Sequence, residues 1–361
     1  MSDLSILVIA GDGIGPEVTR EAVRVLELIS PRAGIRLKLE HEPFGGASID
    51  AHGVPATDAV LKRAGEVDAV LLGAVGGPKW DKIADDKKPE KGLLALRSEM
   101  GVFANLRPAK IFPSLAAASP LREDLARQVD YVVVRELIGG LYFGKPRSLT
   151  GAPGAQVGIN TLTYSEDEIR RIGRRAFELA RARRKKVCSV DKANVLETMV
   201  LWRRVMTELS RDYADVALSH MYVDNCSMQL VLAPGQFDVI VTENLFGDIL
   251  SDEAGATTGS IGLLPSASLG EKAGLYEPIH GSAPDIAGQD KANPLAAILS
   301  VAMLFEHTLG RKDIAAEIEA AVAKVLDVGN RTADLWRGDA TGKTLLGTRA
   351  MGDAVVKVLG G

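Results

Sequence analysis

Three aspartates in the second half of the chain have the chemistry and spacing of a divalent-cation site. Asp248 and Asp252 lie four residues apart in "TENLFGDILSDEAG" (242–255), a stretch that favours a helix. Carboxylates at this spacing face the same way and repel each other, whereas a bound cation would reverse the sign of the interaction. Asp224 ends an apolar strand-like run in "MYVDNCSMQLV", and three carboxylates suit Mg²⁺ or Mn²⁺. Taken alone, each acid could equally be a solvated or capping residue.

Three arginines in mostly apolar surroundings indicate an anionic substrate. Arg97 and Arg107 flank "SEMGVFANL", and Arg135 lies where the apolar run "DYVVVRE" gives way to a loop. Guanidinium groups hold carboxylates through paired hydrogen bonds, so three of them beside a metal site would suit a dicarboxylate. The alternative is structural pairing, for which Glu99 and Glu136 are nearby candidates.

Two further side chains are candidates for proton transfer. Lys192, in "SVDKANV", follows a strand-like run and precedes a helical one. An ammonium held near a divalent cation gives up its proton more readily, which suits acid–base work. Tyr142 lies in the glycine-rich stretch "GGLYFGK", where a tyrosine is more commonly a packing residue.

The segment "YEPIHGSAPDIAGQDKANP" (276–294) has the composition of a loop that follows a ligand closely. It is rich in glycine, alanine and proline, and it contains His280, Asp285 and Asn293. A carboxylate here could accept hydrogen bonds from both hydroxyls of an adenosine ribose and would repel a 2′-phosphate. An ordinary long loop is the alternative, although such loops in compact domains usually have a function.

Strand-like and helical runs alternate along the chain, and these elements must position the candidate residues. The strand-like runs include "SILVIAG", "VDAVLLGAV", "DYVVVRE" and "FDVIVTE". The alternation predicts an α/β fold with a largely parallel sheet. Ser165 and Glu168 have capping-box spacing at the start of a helix. Two glycine- and charge-rich segments, 76–92 and 139–154, are expected to be exposed, the second as a β-arm.

A glycine turn near the start of the chain resembles a dinucleotide-binding fingerprint without matching it. In "IAGDGIGPEV" the glycines Gly11, Gly13 and Gly15 run as G-x-G-x-G, and Pro16 stands where the fingerprint has its third glycine. Proline fits the first turn of a helix, so the segment predicts a strand, a sharp turn and a helix. The turn therefore does not by itself predict a phosphate site.

The bulk properties exclude several classes of protein. With 361 residues the chain is expected to form two domains, and its formal net charge of −4 gives no support to a nucleic-acid or membrane-surface role. The only cysteines, Cys188 and Cys226, lie in strand-like runs and indicate a reducing compartment rather than a disulfide framework. No secretory signal or membrane-spanning stretch is evident, so a cytoplasmic location is expected.

Seven stretches together resemble one family, the β-decarboxylating dehydrogenases, which contains the isopropylmalate and isocitrate dehydrogenases. In chain order they are "AGDGIGPE", "LRSEMGVFANLRP", "VVVRELIGGLYFG", "DKANVLE", "VDNCSMQLV", "TENLFGDILSDEAG" and "YEPIHGSAPDIAG". The resemblance implies an α/β, two-domain isopropylmalate dehydrogenase-like fold with parallel and mixed sheets, which is not a Rossmann fold. It also implies that the glycine turn lies beside the cofactor without cradling its phosphates.

The resemblance assigns roles to the candidate residues. It implies that Arg97, Arg107 and Arg135 clamp substrate carboxylate, and that Asp224, Asp248 and Asp252 hold Mg²⁺ or Mn²⁺ together with the substrate. Lys192 takes part in removing the hydroxyl proton, and Tyr142 protonates the carbon left after decarboxylation. The implied NAD contacts are Ile14, His280, Gly281, Ser282, Ala283, Pro284, Asp285 and Asn293.

The stretch before the first arginine points to the isopropylmalate branch. Glu90, Leu93 and Leu94 lie where the isocitrate branch has a serine- and asparagine-containing loop, and Val195 is implied to add to the pocket. Two leucines suit an isopropyl group, whereas a carboxylate there would lose its hydration without compensation. The implied reaction is NAD-dependent oxidative decarboxylation of (2R,3S)-3-isopropylmalate to 4-methyl-2-oxopentanoate (2-oxoisocaproate) and CO₂, a step of leucine biosynthesis.

The resemblance also implies the domain plan and the assembly. The first domain is expected to comprise 1–102 and 258–361, with most of the NAD contacts. The second, 103–257, is expected to carry the substrate and metal residues and the interface of a homodimer with shared active sites. The alternatives are a sibling enzyme acting on tartrate, D-malate, homoisocitrate or isocitrate, and a catalytically silent regulatory paralogue. A plain nucleotide-binding module would not need the three arginines.

Overall fold

The computed structural model describes residues 2–336 and 341–361, and its regular elements are numbered here in chain order. The strands are β1 (Ser2–Gly11), β2 (Ile35–His41), β3 (Ala69–Ala74), β4 (Ala104–Lys110), β5 (Asp130–Glu136), β6 (Ser148–Thr150), β7 (Val157–Ile159), β8 (Lys186–Asp191), β9 (Ala217–Tyr222), β10 (Val239–Thr242), β11 (Pro265–Leu269), β12 (Gly274–Pro278), β13 (Asn330–Arg331) and β14 (Thr344–Leu345). The helices are α1 (Gly15–Arg32), α2 (Gly46–His52), α3 (Asp58–Ala64), α4 (Pro89–Glu99), α5 (Glu123–Ala126), α6 (Glu166–Arg181), α7 (Glu197–Leu209), α8 (Val223–Leu232), α9 (Asn244–Thr257), α10 (Leu295–His307), α11 (Lys312–Asp327) and α12 (Thr348–Leu359). The alternation of strands and helices is that of the predicted α/β class.

The chain divides into two compact units. The first comprises Met1–Val102, Ile111–Glu123 and Thr258–Gly361, and the second comprises Phe103–Lys110 and Asp124–Thr257. The crossings expected near residues 102 and 258 fall at these boundaries, but residues 111–123 were expected in the second domain and cluster with the first. The reason is packing, since Phe112 and Leu115 are buried in the hydrophobic core of the first unit.

The first unit is built on a mainly parallel sheet in the order β2-β1-β3-β12-β11. The pairs β2–β1, β1–β3 and β3–β12 are parallel, whereas β11 pairs antiparallel with β12. All six residues of β3 are buried, as expected for a central parallel strand. Helix α10 is buried nearly all round and packs with α1 and α11. These elements support the long loop that follows β12.

The second unit is built on a sheet in the order β4-β5-β10-β8-β9. Strand β4 is antiparallel to β5, whereas the pairs β5–β10, β10–β8 and β8–β9 are parallel. The predicted capping box begins α6, with Ser165 accepting a hydrogen bond from the Glu168 N–H and Glu168 accepting one from the Ser165 N–H. Trp202 of α7 is fully buried and meets the Tyr164 ring edge-to-face at 5.6 Å.

An antiparallel hairpin of the second unit, β6–β7, overlaps the segment 139–154 in which a β-arm was expected, although β7 lies beyond that segment. Strands β6 and β7 pair with each other alone among the described strands, and all their residues are exposed.

Both cysteines are free and buried. Cys188 lies in β8 as expected, but Cys226 lies in α8, because a short apolar run reads equally well as a strand or a helix. Within the described ranges, no helix combines the length and apolarity needed to cross a membrane.

Candidate functional site

The second unit brings two of the predicted arginines together with two of the predicted aspartates. Arg135, near the end of β5, donates a short hydrogen bond from Nη1 to Asp248 Oδ1. Arg107, on the neighbouring strand β4, has its Nη1 3.5 Å from Asp248 Oδ1 and 3.4 Å from Asp252 Oδ1. Arg135 is 2% exposed and Arg107 is half-buried. The two guanidinium groups therefore form a cationic floor beside the carboxylates of α9.

Tyr142 belongs to the same cluster. It ends a single turn of 3-10 helix after β5, and its hydroxyl donates a hydrogen bond of 2.9 Å to Asp248 Oδ2. The Arg135 guanidinium lies 5.7 Å from the centroid of its ring. Burial and the adjacent Asp248 carboxylate raise the pKa of Tyr142. The phenol therefore keeps its proton at neutral pH, as a proton donor must.

Lys192 and Asp224 pair with each other. Lys192 follows β8, Asp224 lies in the first turn of α8, and Nζ is 2.7 Å from Asp224 Oδ1. This hydrogen bond is the main cause of the lowered pKa of Asp224. Across residues 2–336 and 341–361, no three His, Cys, Asp or Glu side chains group as a metal site would require. The three predicted aspartates therefore do not form one group within a single chain. Asp248 and Asp252 lie together, and Asp224 is separate from them.

The pair on α9 fits a divalent cation in its donor chemistry. Asp248 and Asp252 stand one helical turn apart, and their side chains are 33% and 68% exposed. Hard cations take carboxylate oxygens and complete their shell with water, substrate oxygens or a further carboxylate. The two acids alone would be too few for such a site, and a further acid and substrate oxygens would be needed to complete it.

In the first unit, the face of α4 carries the residues predicted to select the substrate. Glu90, Leu93, Leu94 and Arg97 follow one another at intervals of three, one and three residues, which places them on one side of the helix. Both leucines are half-buried. Arg97 is nearly buried and donates from Nη2 to Glu277 Oε1 at 2.9 Å, while its buried Nε has no partner among the described residues. This side of the helix therefore presents two apolar side chains, Leu93 and Leu94, next to the guanidinium of Arg97.

The predicted cofactor loop lines a cavity of about 450 Å³ in the first unit. Of the residues predicted to contact NAD, those that line this cavity are Ile14, His280, Gly281, Ala283 and Asn293. Ser282, Pro284 and Asp285 are not among its lining residues. Other lining residues were not predicted individually. Ile286, Lys291 and Ala292 belong to the predicted loop, whereas Ser260, Ile261, Gly262, Ala333 and Asp334 come from two other segments that form no motif.

The polar groups of this cavity are pre-arranged. Asn293 donates from Nδ2 to Asp334 Oδ2 at 3.0 Å and accepts from the Leu295 N–H at 3.0 Å, which fixes its amide. His280 is 8% exposed, and its Nε2 has no hydrogen-bond partner in the described structure. Burial lowers the pKa of His280, so the ring is neutral at neutral pH. A mostly apolar cavity with an unpaired imidazole nitrogen fits a nucleoside base.

The glycine turn packs against the cofactor loop. The Ile14 N–H donates to the Ser282 carbonyl at 2.8 Å. Gly13 has φ +57°, and a Cβ there would lie 2.0 Å from the same carbonyl oxygen. Only glycine allows this approach. The turn is therefore a support for the loop, which agrees with the expectation that it does not act as a Rossmann fingerprint.

Comparison with known proteins places the chain in one family. The sequence profile described as "Isocitrate/isopropylmalate dehydrogenase" matches residues 5–355. A 3-isopropylmalate dehydrogenase of Chromohalobacter salexigens is 60% identical over 354 residues, which cover 97% of each chain. One of Pseudomonas fluorescens is 57% identical over 356 residues, which cover 98% of each chain.

A solved structure extends the match to the fold. The crystal structure of isocitrate dehydrogenase from Methylococcus capsulatus matches with a TM-score of 0.85 at 35% identity, covering 99% of this chain and 100% of that one. The chain belongs to the isocitrate/isopropylmalate dehydrogenase family.

Proposed function

We propose that this protein oxidises and decarboxylates (2R,3S)-3-isopropylmalate with NAD⁺ as acceptor, giving 4-methyl-2-oxopentanoate and CO₂ in leucine biosynthesis. The observation that supports this substrate best is the face of α4, where Leu93 and Leu94 stand between Glu90 and Arg97. The relatives with 57% and 60% identity have the same activity in their names.

The apolar pair Leu93 and Leu94 on α4 favours a substrate with an isopropyl group rather than one with a third carboxylate. Isocitrate carries a carboxylate-bearing substituent where 3-isopropylmalate carries its branched alkyl group. Leu93 and Leu94 offer no hydrogen bond to such a carboxylate, so its lost hydration would go uncompensated. The same leucines gain buried apolar area from an isopropyl group. The α4 face thus discriminates by chemistry as well as by size.

The cationic and acidic side chains divide the remaining work. Arg107 and Arg135 neutralise and orient carboxylate, and Arg97 adds a guanidinium from α4. Lys192 takes part in removing the C2 hydroxyl proton, and Tyr142, protonated at neutral pH, donates a proton to the carbon left after CO₂ departs. No side chain has to form a covalent bond to the substrate.

The bound groups supply what the side chains cannot. NAD⁺ provides a hydride acceptor, and Mg²⁺ or Mn²⁺ provides a Lewis acid for the hydroxyl and carboxylate oxygens of the substrate. Asp248 and Asp252 would hold the ion, with Asp224 as the third acid. Ile14, His280 and Asn293 would hold the nucleoside end of the cofactor in the cavity of the first unit. Asp285, exposed in the following loop, favours a ribose with free hydroxyls over a 2′-phosphate.

A homodimer with shared active sites accounts for two features of the second unit. Asp224 stands apart from Asp248 and Asp252, as expected if it acts in the site of a second copy. The β6–β7 hairpin exposes Leu149 and Val157 at 70% and 57%, which is unusual for apolar side chains on a free hairpin. By resemblance, Lys192 and Val195 would reach the same partner site. A cytoplasmic location is proposed with it, supported by the free, buried cysteines.

The test is NADH formation with a panel of substrates. Purified dimer is given 3-isopropylmalate, isocitrate, tartrate, D-malate or homoisocitrate with Mg²⁺, with and without a chelator, and with NADP⁺ replacing NAD⁺ in a parallel series. Selective, chelator-sensitive turnover of 3-isopropylmalate with NAD⁺ is expected. Preference for another substrate would contradict the argument from Leu93 and Leu94. No turnover of any substrate by a folded, metal-supplied dimer would favour a regulatory paralogue.

A further inference from the structure

Asn244, the first residue of α9, is fully buried and uses all the hydrogen-bonding capacity of its side chain. Its Oδ1 accepts from Arg135 Nε at 3.0 Å and from Arg135 Nη2 at 2.8 Å. Its Nδ2 donates to the carbonyls of Leu137 and Gly139, both at 3.0 Å. Its backbone N–H donates to the Tyr164 hydroxyl at 3.0 Å. A side chain so completely bonded has a single orientation.

The partners of Asn244 lead to two groups of the proposed active site. Arg135 uses its Nε and Nη2 on Asn244 and its Nη1 on Asp248. The Leu137–Gly139 segment directly precedes the turn that carries Tyr142, whose hydroxyl also bonds Asp248. Asn244 therefore links the Arg135 guanidinium, proposed to bind substrate, to the backbone segment that precedes Tyr142, the proposed proton donor.

Only an amide satisfies both sides of this arrangement. The two guanidinium donors need an oxygen, and the two carbonyls need N–H groups, a combination that asparagine offers across one planar group. Aspartate would keep an acceptor for Arg135 but would place an oxygen against the carbonyls of Leu137 and Gly139. Alanine would leave donors and acceptors on both sides unpaired in a buried site.

We propose that Asn244 is a positioning residue, which sets the Arg135 fork for substrate carboxylate and the Leu137–Gly139 segment for Tyr142. This inference rests on the proposed function. It assigns substrate affinity to the Oδ1 side of the amide and turnover to the Nδ2 side. A role in packing alone would not separate the two.

The test uses two substitutions with different predicted signatures. Asn244→Ala removes both the Oδ1 acceptor and the Nδ2 donors. The Kd for 3-isopropylmalate with Mg²⁺ and the KM are therefore expected to rise about tenfold to a hundredfold, and kcat is expected to fall. Calorimetry measures the Kd. Asn244→Asp keeps the acceptor for Arg135, so Kd and KM are expected to stay within about threefold of wild type while kcat falls about tenfold or more. Thermal unfolding and dimer mass are measured for both proteins.

A double-mutant cycle identifies the residue through which Asn244 acts. In an Arg135→Lys background the Asn244→Ala change is expected to raise Kd by less than about threefold, because the fork it positions is gone. In an Arg97→Lys background the full effect is expected to persist, since Arg97 and Asn244 share no hydrogen-bond partner among the residues that the structure describes.

Two results would overturn the inference. One is an Asn244→Ala effect of the same size in wild-type and Arg135→Lys proteins. The other is a parallel change of Kd and kcat in Asn244→Ala and Asn244→Asp that follows the loss of thermal stability. Failure of the proposed function would give a different result. Wild-type protein would then neither bind nor turn over 3-isopropylmalate but would still oxidise another substrate of the panel. The same mutant cycle is then run with that substrate.

Discussion

At the scale of single residues, three donors converge on Asp248. Arg107 and Arg135 approach one of its oxygens, and the Tyr142 hydroxyl bonds the other at 2.9 Å. Asp248 is also one of the two acids on α9 that fit a divalent cation. One carboxylate therefore joins the two arginines proposed to bind substrate, the proposed proton donor and the proposed metal site in a single cluster, and changes at any of these positions should affect the others.

Removing the phenol of Tyr142 tests its proposed role as proton donor. Tyr142→Phe keeps the ring beside Arg135 but removes the O–H, and general acids typically contribute about a hundredfold to ten-thousandfold in rate. We expect kcat to fall within that range while the Kd for 3-isopropylmalate changes little. Steady-state kinetics and calorimetry measure the two quantities.

Tyr213→Phe is the matched control for this change. Tyr213 lies in the same unit, but its ring stacks on Phe177 with centroids 4.7 Å apart, outside the Asp248 cluster. Removing the Tyr213 hydroxyl through this substitution should leave kcat unchanged. Equal turnover by Tyr142→Phe and wild type would contradict the assignment.

A second residue-scale feature is a pair of buried acids around the Tyr164 hydroxyl. Glu136 Oε2 lies 3.4 Å and Glu243 Oε2 lies 3.5 Å from this oxygen, and both acids are almost fully buried. Burial raises the pKa of Glu136 to about 7 and also raises the pKa of Glu243. One of the two carboxyl groups should therefore hold a proton near neutral pH.

This pair predicts a pH dependence of stability. The pKa of Glu136 in the folded protein is about 7, above its ordinary value of 4.5, so the folded state binds more protons between these values. Its contribution to the free energy of unfolding is fully present below about pH 4.5 and is lost as pH rises through about 7. Glu136→Gln should therefore gain about 3 kcal/mol relative to wild type between pH 4.5 and pH 8.

Urea unfolding of both proteins across this pH range measures the difference. Glu27→Gln is the control, because Glu27 is exposed in the folded protein and its carboxyl stays in water in both states. A difference between Glu136→Gln and wild type that stays constant with pH would show that folding does not raise the pKa of Glu136.

At the scale of elements, α6 illustrates how a local signal fixes a boundary. The capping box of Ser165 and Glu168 satisfies two N–H groups that the first helical turn leaves free. Ser165→Ala is expected to lower the free energy of unfolding by about 1 kcal/mol. Glu168→Gln, which keeps a side-chain acceptor, should cost less. Denaturant titration compares the two variants, and an equal or larger loss in Glu168→Gln would contradict this account of the cap.

The elements also show what the sequence could predict. Asp248 and Asp252 were predicted to share one side of a helix because their spacing is a local property of α9. Asn244 and Asp334 could not be identified, since their partners are set by the order of strands and loops: Arg135 lies more than a hundred residues from Asn244, and Asn293 lies 41 residues from Asp334. Cys226 was placed in a strand because a short apolar run does not distinguish strand from helix.

At the scale of the whole molecule, the predicted residues are divided between the two units. The first unit carries the α4 face and the cavity lined by Ile14, His280 and Asn293, and the second carries the cluster around Asp248. Asp224 and Lys192 pair with each other in one copy. If they act in the partner's site, activity requires the assembled dimer.

Charged substitutions on the β6–β7 hairpin test this requirement. Leu149→Asp combined with Ile159→Asp places two negative charges on an exposed apolar hairpin, which should dissociate the proposed dimer without unfolding the second unit. We expect a folded monomer that loses nearly all turnover, as shown by light scattering, circular dichroism and NADH formation. Leu345→Asp, at a 58% exposed leucine of the first unit, should keep both dimer and activity. A monomer with normal turnover would contradict the shared site.

Isotope labels on the substrate would show whether hydride transfer and decarboxylation occur in the same turnover. 3-Isopropylmalate carrying deuterium at C2 and ¹³C in the carboxylate attached to C3 is incubated with the protein, NAD⁺ and Mg²⁺, and both products are followed by mass spectrometry. We expect deuterated NADH and labelled CO₂ in equal amounts, with 4-methyl-2-oxopentanoate as the remaining product. Deuterated NADH without labelled CO₂, or no transfer of deuterium at all by the folded protein, would contradict the proposed function.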